Sequence, residues 1–215
     1  MVHRTTKKRK GGSMIARGQS SRIYYPAIPC KDGRDMKSYV SRVLKTHVYN
    51  DSSELVSRNI PLITKLKEID PKQKYLLYPE SCEIGKLTKE NLNDGITEEK
   101  AKYSEFLKKG KQTLLKFNKS NTLTEKQEKH LKKSINLLHK HNIIHGDLHN
   151  QNFIFLEDDL PRLIDFSKSI INSTKELLQK EKDYIKQVFP NFDLMKNNNR
   201  EKLYELHKEL QNGKL

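Results

Sequence analysis

The stretch that most constrains this chain is IIHGDLHNQNFIFLEDDLPRLIDFSKS, Ile143 to Ser169. It holds two short apolar runs of β type, Phe153 to Leu156 and Leu163 to Ile164, joined by the acidic turn EDDLP. A hairpin built from them carries Asn152 at one mouth and Asp165 at the other. Asp147 lies five residues before Asn152, in a loop after a helix expected from Thr124 to His141. Two carboxylates and an amide are hard oxygen donors, a set that suits Mg²⁺ bound partly through phosphates. One carboxylate is then left to orient a hydroxyl nucleophile.

The rest of the chain has to supply a core around this stretch. With 215 residues and 34% hydrophobic content, it is lean but long enough for one core or two small lobes. Lys and Arg number 42 against 27 acids, a net charge of +15 that favours nucleic acid, phosphorylated ligands, acidic protein surfaces or anionic membrane without choosing among them. Cys30 and Cys82 match no metal spacing, so free thiols in a reducing compartment are expected. No apolar run is long enough for a membrane span, and the N-terminus lacks a signal-peptide core; the expectation is an intracellular, cytoplasmic protein without a membrane partner.

Along the chain, residues 1–12 carry five Lys or Arg and read as a disordered basic tail, a candidate contact for nucleic acid or an acidic surface. From Ser13 the texture predicts a hairpin and a third strand, YVSRVLK. A helix follows from Ser52, with Pro61 expected to kink or divide it, and then a strand at KYLLYPE. Residues 81–95 are polar and turn-rich and read as a linker. Helices are then expected over Glu98 to Phe117, Thr124 to His141 and most of the chain from Ser173. The domain expectation is therefore an N-lobe over 13–80, a hinge over 81–95 and a helical C-lobe over 96–215.

The motif His145-Gly146-Asp147-Leu148-His149-Asn150-Gln151-Asn152 resembles the catalytic loop H-x-D-L-x-x-x-N of the protein-kinase-like superfamily, and Asp165-Phe166-Ser167 resembles its metal-binding D-F-G. The resemblance implies an α+β, two-lobed kinase-like fold with a small β-rich N-lobe and a shortened helical C-lobe. It also implies ATP and Mg²⁺ as cofactors, Asp147, Asn152 and Asp165 as catalytic residues, and Asn152 and Asp165 as metal ligands. Gly146 stands where protein kinases usually carry Arg, which removes the partner for a phosphorylated activation loop. His149 stands where Ser/Thr kinases usually carry Lys, and its direction is open. HGDLHxxN is similar to aminoglycoside and choline kinases, lipopolysaccharide kinases and the compact atypical kinases of archaea and large DNA viruses; the Lys, Asn and Ile bias fits an AT-rich viral genome, hence a host-cell or virion setting.

In the N-terminal half the Gly-rich loop aligns with Ala16 to Ile23, including Gly18 and Ser21, and keeps only the central glycine. Arg42 falls at the position of the phosphate-contacting lysine, with Lys45 as the nearby substitute and Glu54, or else Glu68, as its acidic partner. Asp183 is the candidate for a buried acid holding the loop around His145. Three functions follow from the resemblance: a Ser/Thr protein kinase acting on a protein substrate, a small-molecule kinase, or a pseudokinase or basic scaffold. The first is favoured, because little chain remains for the helices that build a small-molecule acceptor pocket.

Overall fold

The computed structural model describes residues 12–17, 21–44, 52–93 and 103–190. They form two compact units: residues up to Ile60 with Pro79–Lys109, and Pro61–Tyr78 with residues from Gly110 onward. The basic tail over 1–11, Gly18, Lys45 and the segment after Pro190 lie outside the described residues. Among the described residues no helix is long and apolar enough to cross a membrane.

The first unit is an antiparallel sheet. Strands β1 (Ser13–Arg17) and β2 (Ser21–Tyr25) form a hairpin, and β3 (Tyr39–Leu44), β4 (Glu80–Glu83) and β5 (Tyr103–Lys108) complete the order β1-β2-β3-β5-β4. Ala16 pairs with Ile23 across the hairpin, and a bulge falls between Met14 and Ala16. Tyr24, Ile28, Val43 and Leu87 form one small core, and Ala27, Cys30, Met36, Cys82 and Phe106 a second.

Three expectations change here. Residues 81–95 are no plain linker: they supply most of β4 and a short helix, α2 (Lys89–Asn93). The helix expected over Glu98 to Phe117 is replaced, from Tyr103 on, by β5, a second short strand β6 (Gln112–Thr113) and one helical turn, α3 (Leu114–Phe117). β5 sits between β3 and β4, so its backbone groups are paired on both edges, a gain that local helix propensity does not match. Gly110 ends it where a Cβ would come within 2.2 Å of the Ile154 side chain. Cys30 and Cys82, expected as free thiols, form a disulfide with Cα atoms 5.8 Å apart. Pairing of Cys82 opposite Ser104 on β5, and a bridge between Cys30 and Ile84, bring the two together from 52 residues apart.

The second unit begins within α1 (Ser52–Ile69), a helix that continues through Pro61; its first unit portion ends at Ile60. The strand expected at KYLLYPE reduces to a single bridge between Leu76 and Leu163. The Asp70 carboxylate accepts the backbone N–H groups of Lys74, Tyr75 and Leu76, so this buried segment is satisfied without a ladder. Helix α4 (Glu125–Lys140) starts with a capping box in which Thr124 and Gln127 satisfy each other's backbone N–H. Its apolar side, Leu131, Ile135 and Leu138, packs on Leu114, Phe153, Phe155 and Leu163. The expected hairpin is present as β7 (Phe153–Phe155) and β8 (Pro161–Leu163), with β6 on its other edge. Helix α5 (Lys175–Val188), capped by Thr174, lays Leu177, Leu178, Tyr184 and Val188 inward.

Candidate active site

The loop from Ile143 to Lys168 is pinned by backbone hydrogen bonds at nearly every turn. Ile144 and Ile170 exchange bonds, Ile164 N–H donates to Asn152 O at 2.8 Å, and the buried His145 donates from Nε2 to Ile164 O at 2.9 Å. Asp147 N–H donates to His145 Nδ1, so the ring is the neutral Nε2–H tautomer, and burial holds its pKa below the usual histidine value against the pull of Glu181. The Phe166 ring meets His145 edge-on at 5.3 Å. The Ile164 peptide, held from both sides, is what carries Asp165 toward Asn152.

Gly146 is required by this backbone. Its φ is +74°, and a Cβ there would lie 2.4 Å from Lys168 O, so no side chain fits. Glu181 on α5, 2% exposed, accepts the N–H of His145 and of Gly146 (2.8 Å) and the Nε2–H of His139 (2.6 Å). Asp183, the acid expected in that role, is instead on the surface with Lys186 and Gln179. The phase of α5 explains it: Leu177, Leu178 and Tyr184 put residue 181 on the inner face and rotate residue 183 away. Tyr184 donates its hydroxyl to Leu148 O, adding a second tie from the same helix; burial, with Asp147 and Glu181 behind it, pushes the phenol pKa well up.

Asp147 is the charged centre of the loop. Lys168 Nζ lies 3.1 Å from Oδ1, and His149 Nε2 lies 3.8 Å from Oδ2. Burial alone would raise this carboxyl, but hydrogen bonding and charge from His149 and Lys168 outweigh it and hold it well below the usual carboxylate range. His149 Nδ1 accepts Gln151 N–H, which leaves its Nε2 to carry the proton toward Asp147. Asn152 donates from Nδ2 to Asp147 O, so its Oδ1 is the atom left for a cation. Asp165 takes left-handed backbone angles, φ 60° and ψ 71°, and its side chain makes no cap on the turn Phe166–Lys168 that follows. Asp tolerates this conformation better than most residues, and such strain recurs where a side chain must be aimed.

As donors, Asn152 and Asp165 offer one amide oxygen and one carboxylate. Among the described residues no group of three or more His, Cys, Asp or Glu side chains can hold a metal by itself. That donor set fits a hard cation that takes its remaining ligands from phosphates and water.

In the first unit, Ala16, Ser21 and Ile23 lie on the β1–β2 hairpin. Arg42, opposite Ile23 on one side and Glu105 on the other, makes an ion pair with Glu105 at 3.6 Å. The Glu54 side chain lies outside the described residues, and Glu68 pairs with Lys65. Glu105 was hidden because its segment reads as helix. Lys168 and Glu181 were also missed. The helical phase marks Glu181 in the sequence, whereas no local signal distinguishes Lys168 from the other lysines.

A mixed fold with an antiparallel sheet and several helices, and a loop tied in this way, are consistent with a protein-kinase-like domain. More narrowly, residues 99–202 match the family model RIO1, the RIO domain, over just under half of the chain. RIO domains are atypical protein kinases of that superfamily, phosphotransferases that use ATP. No curated protein matches the chain.

Proposed function

We propose that the chain is an ATP- and Mg²⁺-dependent phosphotransferase acting on Ser or Thr hydroxyls of a protein. The observation that carries this is the Asp147 carboxylate, kept ionised beside Lys168 and His149 in a loop whose Asn152 and Asp165 offer metal-binding oxygens. Asp147 accepts a hydrogen bond from the acceptor hydroxyl and orients its oxygen for in-line attack; transfer of the γ-phosphoryl needs positioning and charge stabilisation more than a strong base. Lys168 neutralises charge beside the transferring group. Asn152 Oδ1 and Asp165 would hold Mg²⁺, which would supply charge neutralisation for the phosphates. The resemblance implies Ala16, Gly18, Ser21 and Ile23, and Arg42 or Lys45 with Glu54, as the first unit's candidates for nucleotide phosphate contacts. The match to the RIO domain over residues 99–202 supports phosphotransfer.

Titration of the full chain with ATP in the presence of Mg²⁺ tests the reading. Asp165→Ala is expected to abolish Mg²⁺-dependent nucleotide binding with the amide spectrum otherwise retained. Unchanged affinity in the variant rejects the metal assignment, and absence of radiolabel transfer to casein, basic protein or the chain itself rejects the reaction.

A further inference from the structure

Beside the catalytic loop the second unit holds a recess of about 500 Å³, open to solvent and lined by α3, the start of α4, the loop at Asn150 and Pro190. Its volume is in the range of ligand sites. Leu115, Leu123 and Pro190 give it apolar walls, while Asn118, Glu128 and Asn150 present polar groups.

The side chains of all three, Asn118, Glu128 and Asn150, make no hydrogen bond or ion pair among the described residues. Asn150 is only 5% exposed as a residue, and its carboxamide makes no hydrogen bond among the described residues while it lines the recess. Glu128 is half-buried and makes no ion pair; its backbone N–H is spent on Thr124 O. A carboxylate and an amide oxygen lining the same partly apolar recess suit a ligand with a cationic, donor-rich head on an alkyl stem. Lys119 at the rim is exposed, where solvent screens its charge, so Glu128 sets the sign in the sheltered part. Asn150 belongs to the same turn, Asn150–Asn152, that aims His149 at Asp147.

We propose that this recess is an acceptor subsite that takes the arginine or lysine side chain of a basic peptide, seated between Glu128 and Asn150 next to the catalytic loop. The assignment rests on the protein phosphotransfer reading above and adds the substrate class to it. The alkyl stem lies along Leu115, Leu123 and Pro190, and the cationic head donates to Glu128 and to Asn150 Oδ1.

The test is a titration of the full ¹⁵N-labelled chain with N-acetyl-arginine amide, with N-acetyl-norleucine amide as the uncharged control. Saturable shifts of the Asn150 and Asn118 side-chain amides are expected with the arginine probe. Glu128→Gln, which retains the helix, should weaken that binding about tenfold or more, the loss of one charge-assisted hydrogen bond. Absence of saturable shifts, equal shifts with the norleucine probe, or unchanged affinity in Glu128→Gln each overturns the proposal. Asp165→Ala removes the proposed metal ligand and should leave the arginine shifts in place, so the failure of the phosphotransfer reading and the failure of the subsite are told apart.

Discussion

Lys168 Nζ lies 3.1 Å from Asp147 Oδ1, so the segment that bears Asp165 delivers a cation directly onto the carboxylate of the His145–Asn152 loop. Protein kinases usually place a lysine two residues after that Asp, where this chain has His149. Here the cation arrives from the far side of the β7–β8 hairpin, and His149 adds a second donor.

The ion pair predicts a pH response of defined sign. Burial raises the Asp147 carboxyl, and His149 and Lys168 together lower it further than burial raises it. A depressed folded-state pKa contributes stability that is fully present above about pH 4, the unfolded value, and is lost as pH falls through the lower folded one. Lys168→Met should therefore raise the Asp147 pKa and cut phosphotransfer about tenfold or more. Carboxyl ¹³C titration of both proteins reads the first effect; an unmoved Asp147 titration contradicts the ion pair.

Glu181 predicts a large difference from its near neighbour. Glu181→Ala leaves two buried backbone N–H groups and His139 without their acceptor and should cost on the order of 3 kcal/mol in urea unfolding. Asp183→Ala, at an exposed site, should leave the urea midpoint unchanged. Equal effects at the two positions are incompatible with the α5 phase described.

Gly146→Ala should be more damaging than a typical glycine substitution. The new Cβ meets Lys168 O at 2.4 Å in a left-handed backbone, and relief requires moving either Asp147 or Lys168. A loss of about 2 kcal/mol or more is expected, with activity falling alongside stability. Thermal unfolding that matches the parent protein would show that the loop relaxes without strain.

Reduction of the Cys30–Cys82 disulfide should lower the stability of the first unit. Closing a loop with a sequence separation of 52 removes chain entropy from the unfolded state worth about 4 kcal/mol by loop-closure arithmetic. Urea unfolding with and without dithiothreitol measures it, and Cys82→Ser should reproduce the reduced protein. Coincident curves would mean that the burial of the two cysteines alone holds these strands together.

Local pattern carried much of this protein. The capping box at Thr124, the period of α4 and α5 and the paired apolar runs around EDDLP place their elements within a few residues, because each is stabilised by neighbours close in sequence. The spacing of Asp147, Asn152 and Asp165 was equally legible, since one hairpin and one turn bring these residues into relation.

Tertiary structure decided the rest. Residues 103–108 became a strand because β3 and β4 offered both edges of a ladder, and only that pairing sets Glu105 against Arg42 and Cys82 near Cys30. The sequence determined by itself where the chain turns, caps and alternates, because those free energies are local. Only the fold determined which of many lysines reaches Asp147 and which acid of α5 holds the loop, because a long-range contact depends on how distant segments pack and not on the residues beside it.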